Sequence, residues 1–234
     1  MCEVMMSQLR QNSSKLAMID RRKSFVALAA AVVGLAGLVG EVSAANRYWD
    51  TGVAAGLQAG DGTWDTATTA LWSTAAGGTA LTTWANDDAA FFQGTTPAYT
   101  ATLSGTVNAY SVTNVNSNVT LSGGTLQVGA GGISSTGGGA APMTINSAVT
   151  LNGSQSWIFK YNTSKVTVAG NISESVVGSI LSVGLATGSG TTGGVLLLTG
   201  NNLYTGGTIL NGATTPGLAL QVGSNTALES PCGI

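Results

Sequence analysis

The residues of this chain with any capacity for chemistry are few, and most are acidic. Asp61 and Asp65 flank Trp64, and Asp87 and Asp88 are adjacent. Two carboxyl groups roughly 5–10 Å apart are the equipment of a glycosidase. Against that use, the later part of the chain supplies only Lys160 and Lys165 as bases, with Glu174 the one acid near them. The simpler reading makes these acids solvated turn residues, with Asp88 bonding the backbone of its own turn. The 234 residues contain no histidine, which removes Ser-His-Asp and Cys-His machinery and the commonest metal ligand. The glycine-rich stretches lack a following Lys-Ser/Thr or a helix start, so they cradle no phosphate. The expectation is therefore no enzyme, no catalytic residue, no cofactor and no metal. Two other classes compete with it: a secreted β-helix enzyme using the aspartate pairs, and a carbohydrate-binding module that stacks sugars on Trp49, Trp64, Trp72 and Trp84.

The ends set the compartment. Arg21-Arg22-Lys23 precedes an uncharged run from Ser24 to Gly40, followed by Val42-Ser43-Ala44. A basic start, an apolar run and a small-residue exit form a secretory signal, with cleavage between Ala44 and Ala45 and translation beginning at Met18. The competing reading is a membrane anchor, but the run of 17 residues sits at the lower limit of the ~17–25 that span a bilayer. The expected domains are a signal peptide over 1–44, a Trp-rich β segment over 45–97 and β-solenoid repeats over 98–234. The predicted location is extracellular or the bacterial cell surface.

Of the residues after Ala44, three are basic (Arg47, Lys160, Lys165) and seven acidic, a net charge of −4. No clustered Lys/Arg exists to displace counterions, which argues against nucleic acid, and no basic stripe exists for an anionic membrane. So few charges are unusual for a globular surface, which carries about a quarter charged residues. Solubility then falls to Thr, Ser and Asn. Cys2 precedes the cleavage point, leaving Cys232 without a disulfide partner. The closing Ser-Pro-Cys-Gly-Ile breaks the strand rhythm and reads either as a true terminus or as a truncated or frameshifted end.

The elements that position these residues are short strands. Tyr99, Ala101 and Leu103 alternate with Thr100 and Thr102; Val119 and Leu121, Leu126 and Val128, Met143 and Ile145, Val149 and Leu151, and Trp157, Phe159 and Tyr161 alternate likewise. Period two marks a strand with one buried face. Asn118-Val-Thr-Leu-Ser-Gly-Gly124, Ala148-Val-Thr-Leu-Asn-Gly-Ser154 and Lys165-Val-Thr-Val-Ala-Gly-Asn171 are near copies, and Leu126-Gln-Val-Gly129 returns as Leu220-Gln-Val-Gly223. Glycine and asparagine end each phrase because they turn through positive φ. No long helix is expected after Ala44. Residues 129–141 and 186–194 read as flexible glycine-rich loops. At about 20–25 residues per turn, residues 98–234 make roughly six coils. The Trp-rich segment holds Tyr48-Trp49-Asp50, Trp64-Asp65, Trp72-Ser73, Trp84 and Phe91-Phe92; buried, those rings would close one end of the stack.

The densest signal is Leu198-Thr-Gly-Asn-Asn-Leu-Tyr-Thr-Gly-Gly-Thr-Ile-Leu-Asn-Gly212. Leu198, Gly200, Asn202, Tyr204, Gly206, Gly207, Thr208 and Gly212 follow in order the pattern L-x-G-x-N-x-Y-x-G-G-T-x-I-x-x-G-x-L. This resembles the autotransporter-associated beta-strand repeat of bacterial passenger proteins; the order Tyr-Trp-Asp … Trp … Asp88-Ala-Ala-Phe91 resembles the region preceding such repeats. The resemblance implies an all-β fold, a right-handed parallel β-helix preceded by a cleavable signal helix. It also implies an exported structural or adhesive role, with host surface, matrix or glycans as partners. Membrane contact would come only through the signal or a carboxy-terminal barrel. This chain carries no run of terminal alternating segments such as a barrel needs, so self-translocation by that route is not expected.

Overall fold

The computed structural model describes residues 44–94, 98–137, 141–187, 193–211 and 217–223. The segment before Ala44 that reads as a signal lies outside them, as do Gly212 and Cys232. Ala44 opens a compact unit whose boundary falls between Ser43 and Ala44.

The described residues contain strands and no helix. The amino-terminal part supplies Asn46–Trp49 (β1), Gly62–Trp64 (β2), Trp72–Ser73 (β3), Leu81–Thr82 (β4) and Ala89–Phe92 (β5). Two long strands follow, Tyr99–Asn114 (β6) and Val119–Ser135 (β7). Each winds through a whole turn, bent at glycines: Gly105 at φ 74° in β6, Gly123 at 74° and Gly132 at 64° in β7. Later turns break into three strands apiece. Met143–Ile145 (β8), Ala148–Leu151 (β9) and Gln155–Phe159 (β10) make one; Lys165–Val168 (β11), Ile172–Glu174 (β12) and Leu181–Leu185 (β13) the next. Gly194–Leu198 (β14), Thr208–Asn211 (β15) and Leu218–Val222 (β16) follow.

Every pairing from β5 onward is parallel, and the pairings sort into three stacked ladders. The first runs up one face through Tyr99, Val119, Met143, Val166, Leu196 and Leu220, and alongside it through Ala101, Leu121, Ile145, Val168, Leu198 and Val222. The second stacks Val107, Leu126, Val149 and Ile172, reaching Asn202 through a single bridge. The third joins β5 to the ends of β6 and β7, then to β10, β13 and β15. The chain is thus a β-solenoid of about five turns with an aliphatic interior. Thr100, Thr120, Thr144 and Thr167 align as an outward row on the first face.

Three expectations change. The stretch 129–141 is not one loop: residues to Ser135 complete β7, and 138–140 lie outside the described residues. Glycine there serves close packing, since a Cβ on Gly132 would overlap the Ser156 carbonyl oxygen. The described residues make about five turns where roughly six were expected over 98–234; one step, Val166 to Leu196, takes 30 residues, longer than the 20–25 assumed, and residues 224–234 lie outside the described residues. Of the second expected loop, Gly194 already belongs to β14 and 188–192 lie outside the described residues.

Candidate functional site

The segment after Leu198 has a structural task at nearly every position of its pattern. Leu196 and Leu198 are wholly buried rungs of β14. At Gly200 the chain turns so closely over the preceding coil that a Cβ would overlap the Gly170 carbonyl oxygen. Asn202, 2% exposed, points its Oδ1 inward to accept the Ile172 amide at 3.1 Å. A side chain here replaces a ladder bond where the backbone makes only one bridge. Tyr204 is buried, and its hydroxyl shares a hydrogen with Thr208; burial holds that phenol above its ordinary pKa, partly offset by Thr208. A Cβ on Gly206 would overlap the Gly178 and Ser179 carbonyl oxygens, and Gly207 turns at φ 79°. The Gly207 carbonyl then accepts the Leu181 amide at 3.0 Å. Of the eight pattern residues, Gly212 alone is outside the described residues.

The same logic recurs at corners that the sequence did not flag. Asn114 donates its amide to the Ser117 and Ala141 carbonyls, each at 3.0 Å, while its Oδ1 accepts the Ser117 amide at 2.8 Å. Trp157 donates its indole N–H to Gln155 Oε1 at 2.8 Å, and Gln155 reaches the Val128 carbonyl of the preceding turn at 3.1 Å. Glu174 joins two coils: Oε1 accepts the Thr205 hydroxyl at 2.6 Å and Oε2 the Ser179 amide at 2.9 Å. An asparagine three residues before a serine is the one signal that could have located the first corner; nothing in the sequence marks the others.

The four tryptophans of the amino-terminal part form one cluster. Trp72 lies with ring centroids 5.1 Å from Trp49, 5.0 Å from Trp64 and 4.7 Å from Trp84, and Phe92 completes the group at 5.7–5.9 Å. All four indoles are 0–1% exposed. Edge-on and tilted packing at this spacing is favourable between aromatic quadrupoles. Trp49 and Trp84 donate to the carbonyls of Gly60 and Asn108 at 2.9 and 3.2 Å. None of the four offers a ring face to a sugar, so the stacking platform expected of them as an alternative is not built.

The carboxylates hold backbone. Asp65 accepts the Thr69 hydroxyl and amide, both at 2.7 Å, closing its own loop. Asp61 accepts the Thr100 amide at 2.7 Å. Asp50 is fully buried, and its Oδ1 takes the Gln58 and Gly52 amides at 3.0 and 3.2 Å. Asp88 departs from expectation: instead of bonding its own turn, it accepts Arg47 Nε at 2.6 Å and the Ala45 amide at 3.1 Å. A shallow surface cavity of about 360 Å³ lies beside Gln93 and Asn116, and no ionisable group lines it. Among the described residues no three His, Cys, Asp or Glu side chains converge.

Comparison with protein-family models, with curated proteins and with solved structures finds no match to this chain.

Proposed function

We propose that this chain is an exported, non-catalytic structural or adhesive β-solenoid, akin to the passenger proteins whose repeat it resembles. The observation that carries the reading is the use made of the repeat residues. Gly200, Asn202, Gly206 and Gly207 each serve the contact between one coil and the coil before it, Tyr204 is buried with its hydroxyl bonded to Thr208 of the same corner, and none is left over to face a substrate. Residues so spent build a column, and a column gives a stalk or a display surface. The low charge and the signal-like start support an extracellular setting, where parallel stacking lets each added coil be stabilised by its predecessor. The Trp-rich segment is the cap of that column, and ligands on a host surface, a matrix or a glycan would meet its polar, hydroxyl-rich exterior.

Export is tested by expressing the full chain in a Gram-negative host and measuring the mass and protease sensitivity of what leaves the cytoplasm. A species shortened by 44 residues and accessible to added protease once the outer membrane is permeabilised is expected. Retention of the uncut chain inside the cell would sink the proposal. The cap is tested separately by acrylamide quenching of tryptophan emission: weak quenching in the native protein is expected, and quenching as strong as in the unfolded chain would refute it.

A further inference from the structure

The contact between Ala45 and Asp88 joins two features that otherwise have no reason to meet. The small-residue exit of the signal-like segment places a cleavage point between Ala44 and Ala45, and the compact unit begins at Ala44. One residue inside that boundary, the Ala45 nitrogen already sits 3.1 Å from Asp88 Oδ1. The other carboxylate oxygen is taken by Arg47 Nε at 2.6 Å. Asp88 itself is only 9% exposed. The Ala45 carbonyl is fixed as well, accepting the Ala89 amide at 2.9 Å, so the residue is held from both ends.

We propose that Asp88 is the receptor for the amino terminus created by processing. Removal of the leader turns its hydrogen bond with Ala45 into an ion pair that locks β1 onto β5. The proposal rests on the export reading for its cleavage point. Hydrolysis of the Ala44–Ala45 bond adds one water: its oxygen stays with Ala44 as part of the new carboxylate. The Ala45 nitrogen leaves as an amine and takes up a proton at neutral pH. A neutral amide donor thus becomes an ammonium in the same place, with no movement required. The bond is already charge-assisted on the acceptor side; cleavage adds a full positive charge opposite it, and a partly buried carboxylate shared by two cations is screened less than a surface pair. Among the described residues of the uncut chain, Asp88 pairs with Arg47 alone. Processing would therefore do more than remove a leader: it would tighten the first strand of the stack after the chain has crossed the membrane.

The charged groups around the new terminus set the pH window. Arg47 on β1 and the adjacent carboxylates Asp87 and Asp88 before β5 are the ionisable neighbours on its own elements. From β6 the Tyr110 amide bonds the Asp88 carbonyl at 2.9 Å, while its ring lies beside Gly131 of the following coil. An α-amine ordinarily titrates at about 7.7–8.0; beside Asp88 it is held above that range. The gain is then complete below the ordinary value and disappears as pH rises through the elevated one.

The test uses the full chain with a factor Xa recognition sequence written into the exit (Glu41→Ile, Val42→Glu, Ser43→Gly, Ala44→Arg), so that cutting leaves Ala45 first. Thermal midpoints are read before and after cutting, at pH 7 and pH 10. The expected result is a rise of roughly 2–4 °C at pH 7, little at pH 10, and none in Asp88→Asn. Equal midpoints before and after cutting at pH 7, or an unchanged rise in Asp88→Asn, would overturn the proposal. Should Asp88→Asn fail to fold, acylation of the Ala45 amine keeps the question open to experiment. The folded, cut protein should react about tenfold more slowly than the unfolded one, because the ammonium is paired and its free amine scarce; equal rates would overturn the lock. Amino-terminal sequencing of the exported protein judges the export reading separately, since the cut chain reports on Asp88 whatever the cell does.

Discussion

The first and last described coils of this solenoid share the same rows and are covered differently. At the amino-terminal end, β1 still stacks parallel on β5, but β3 and β4 join antiparallel, and the interior ends among indoles that are 0–1% exposed. At the other end, the row containing Trp157 and Val183 arrives at Leu210, and the exposure jumps from 0% to 46%. The neighbouring row passes from Leu198 at 0% to Val222 at 44%. No charged residue occurs from Ser175 to Gly223, so β15 and β16 lack the lysines that blunt most edge strands. The lesson concerns where burial comes from. Leu198 and Val222 occupy equivalent positions, yet one is core and the other surface, because a coil becomes interior only when another is laid on it.

The sharpest way to break the comparison is to truncate one side chain at each end. Trp64→Ala removes a fully buried ring that touches Trp72, Trp84 and Phe92, and a loss of about 3–5 kcal/mol is expected. Leu210→Ala removes a side chain already half in water, and its cost should stay below about 1 kcal/mol. Denaturant unfolding of both variants checks the pair. Similar losses would mean that the carboxy-terminal rows are covered in solution and that the contrast between the ends is false.

Alkaline titration gives the next largest effect, and it reads the first full coil. Burial pushes the Tyr99 phenol up to about 12, and the nearby Ser117 hydroxyl is the one influence that opposes it. The unfolded chain ionises this tyrosine near its ordinary value of 10.0, while the folded chain keeps it neutral. Stability is therefore intact below pH 10 and falls on the way to about 12, by on the order of 2 kcal/mol. Tyr204, near the opposite end, is shifted the same way. Tyr99→Phe should flatten most of the fall between pH 10 and 12. A variant that unfolds along the same alkaline curve as the parent would assign the effect elsewhere.

Asn202→Ala tests whether the last coils are held by side chains where the ladder is thin. Without Oδ1 the Ile172 amide loses its acceptor inside the stack, at a cost of about 1–2 kcal/mol. Hydrogen exchange at Ile172 should accelerate while exchange at Leu121, deep in the first ladder, is unchanged at equal global stability. Equal acceleration at both sites would show that the coils do not respond separately.

How much of this was legible in sequence follows from which regularities the chain repeats. Alternation of large and small residues gave the buried faces correctly: Tyr99, Ala101, Val119, Leu121, Met143 and Ile145 are all inside. The near-copy phrases were a poorer guide to period. Val119-Thr-Leu121 and Val166-Thr-Val168 stack on the first ladder, but Val149-Thr-Leu151 lies on the second. Likewise Leu126-Gln-Val128 and Leu220-Gln-Val222 sit on different faces. The same short strand suits any face, so a recurring phrase reports strand chemistry and not the length of a turn. Glycine was ambiguous for a related reason. It marks loops in most chains, whereas Gly132 and Gly200 are needed because backbone of an adjacent coil occupies the place of a Cβ. The bonds of Asn202, Glu174 and Asp88 reach partners 30, 31 and 43 residues away, and no local pattern encodes a partner at that distance.

Acid gives the smallest expected effect and the finest discrimination between the two ends. Asp65 and Glu174 both have carboxyl pKa values below the ordinary one: burial is the largest single influence and raises each, but hydrogen bonds from Thr69 and Thr68, or from Thr205, Ser179 and Gly178, together outweigh it. For a depressed pKa the contribution is present above the unfolded value and is lost as pH falls through the folded one, so both act on the acid side of about pH 4.5. Their reach differs. Asp65 bonds residues three and four positions ahead, closing a loop that belongs to one segment. Glu174 bonds Thr205 across 31 residues, tying the end of β12 to the coil above. Asp65→Asn should leave acid-induced exchange changed only around Thr68 and Thr69. Glu174→Gln should speed exchange at Gly178 and Ser179 and loosen the Tyr204–Thr208 corner at neutral pH, as the parent does only when acidified. If the two variants prove equally local, the exposed glutamate holds its own turn and the upper coil rests on Asn202 and packing alone.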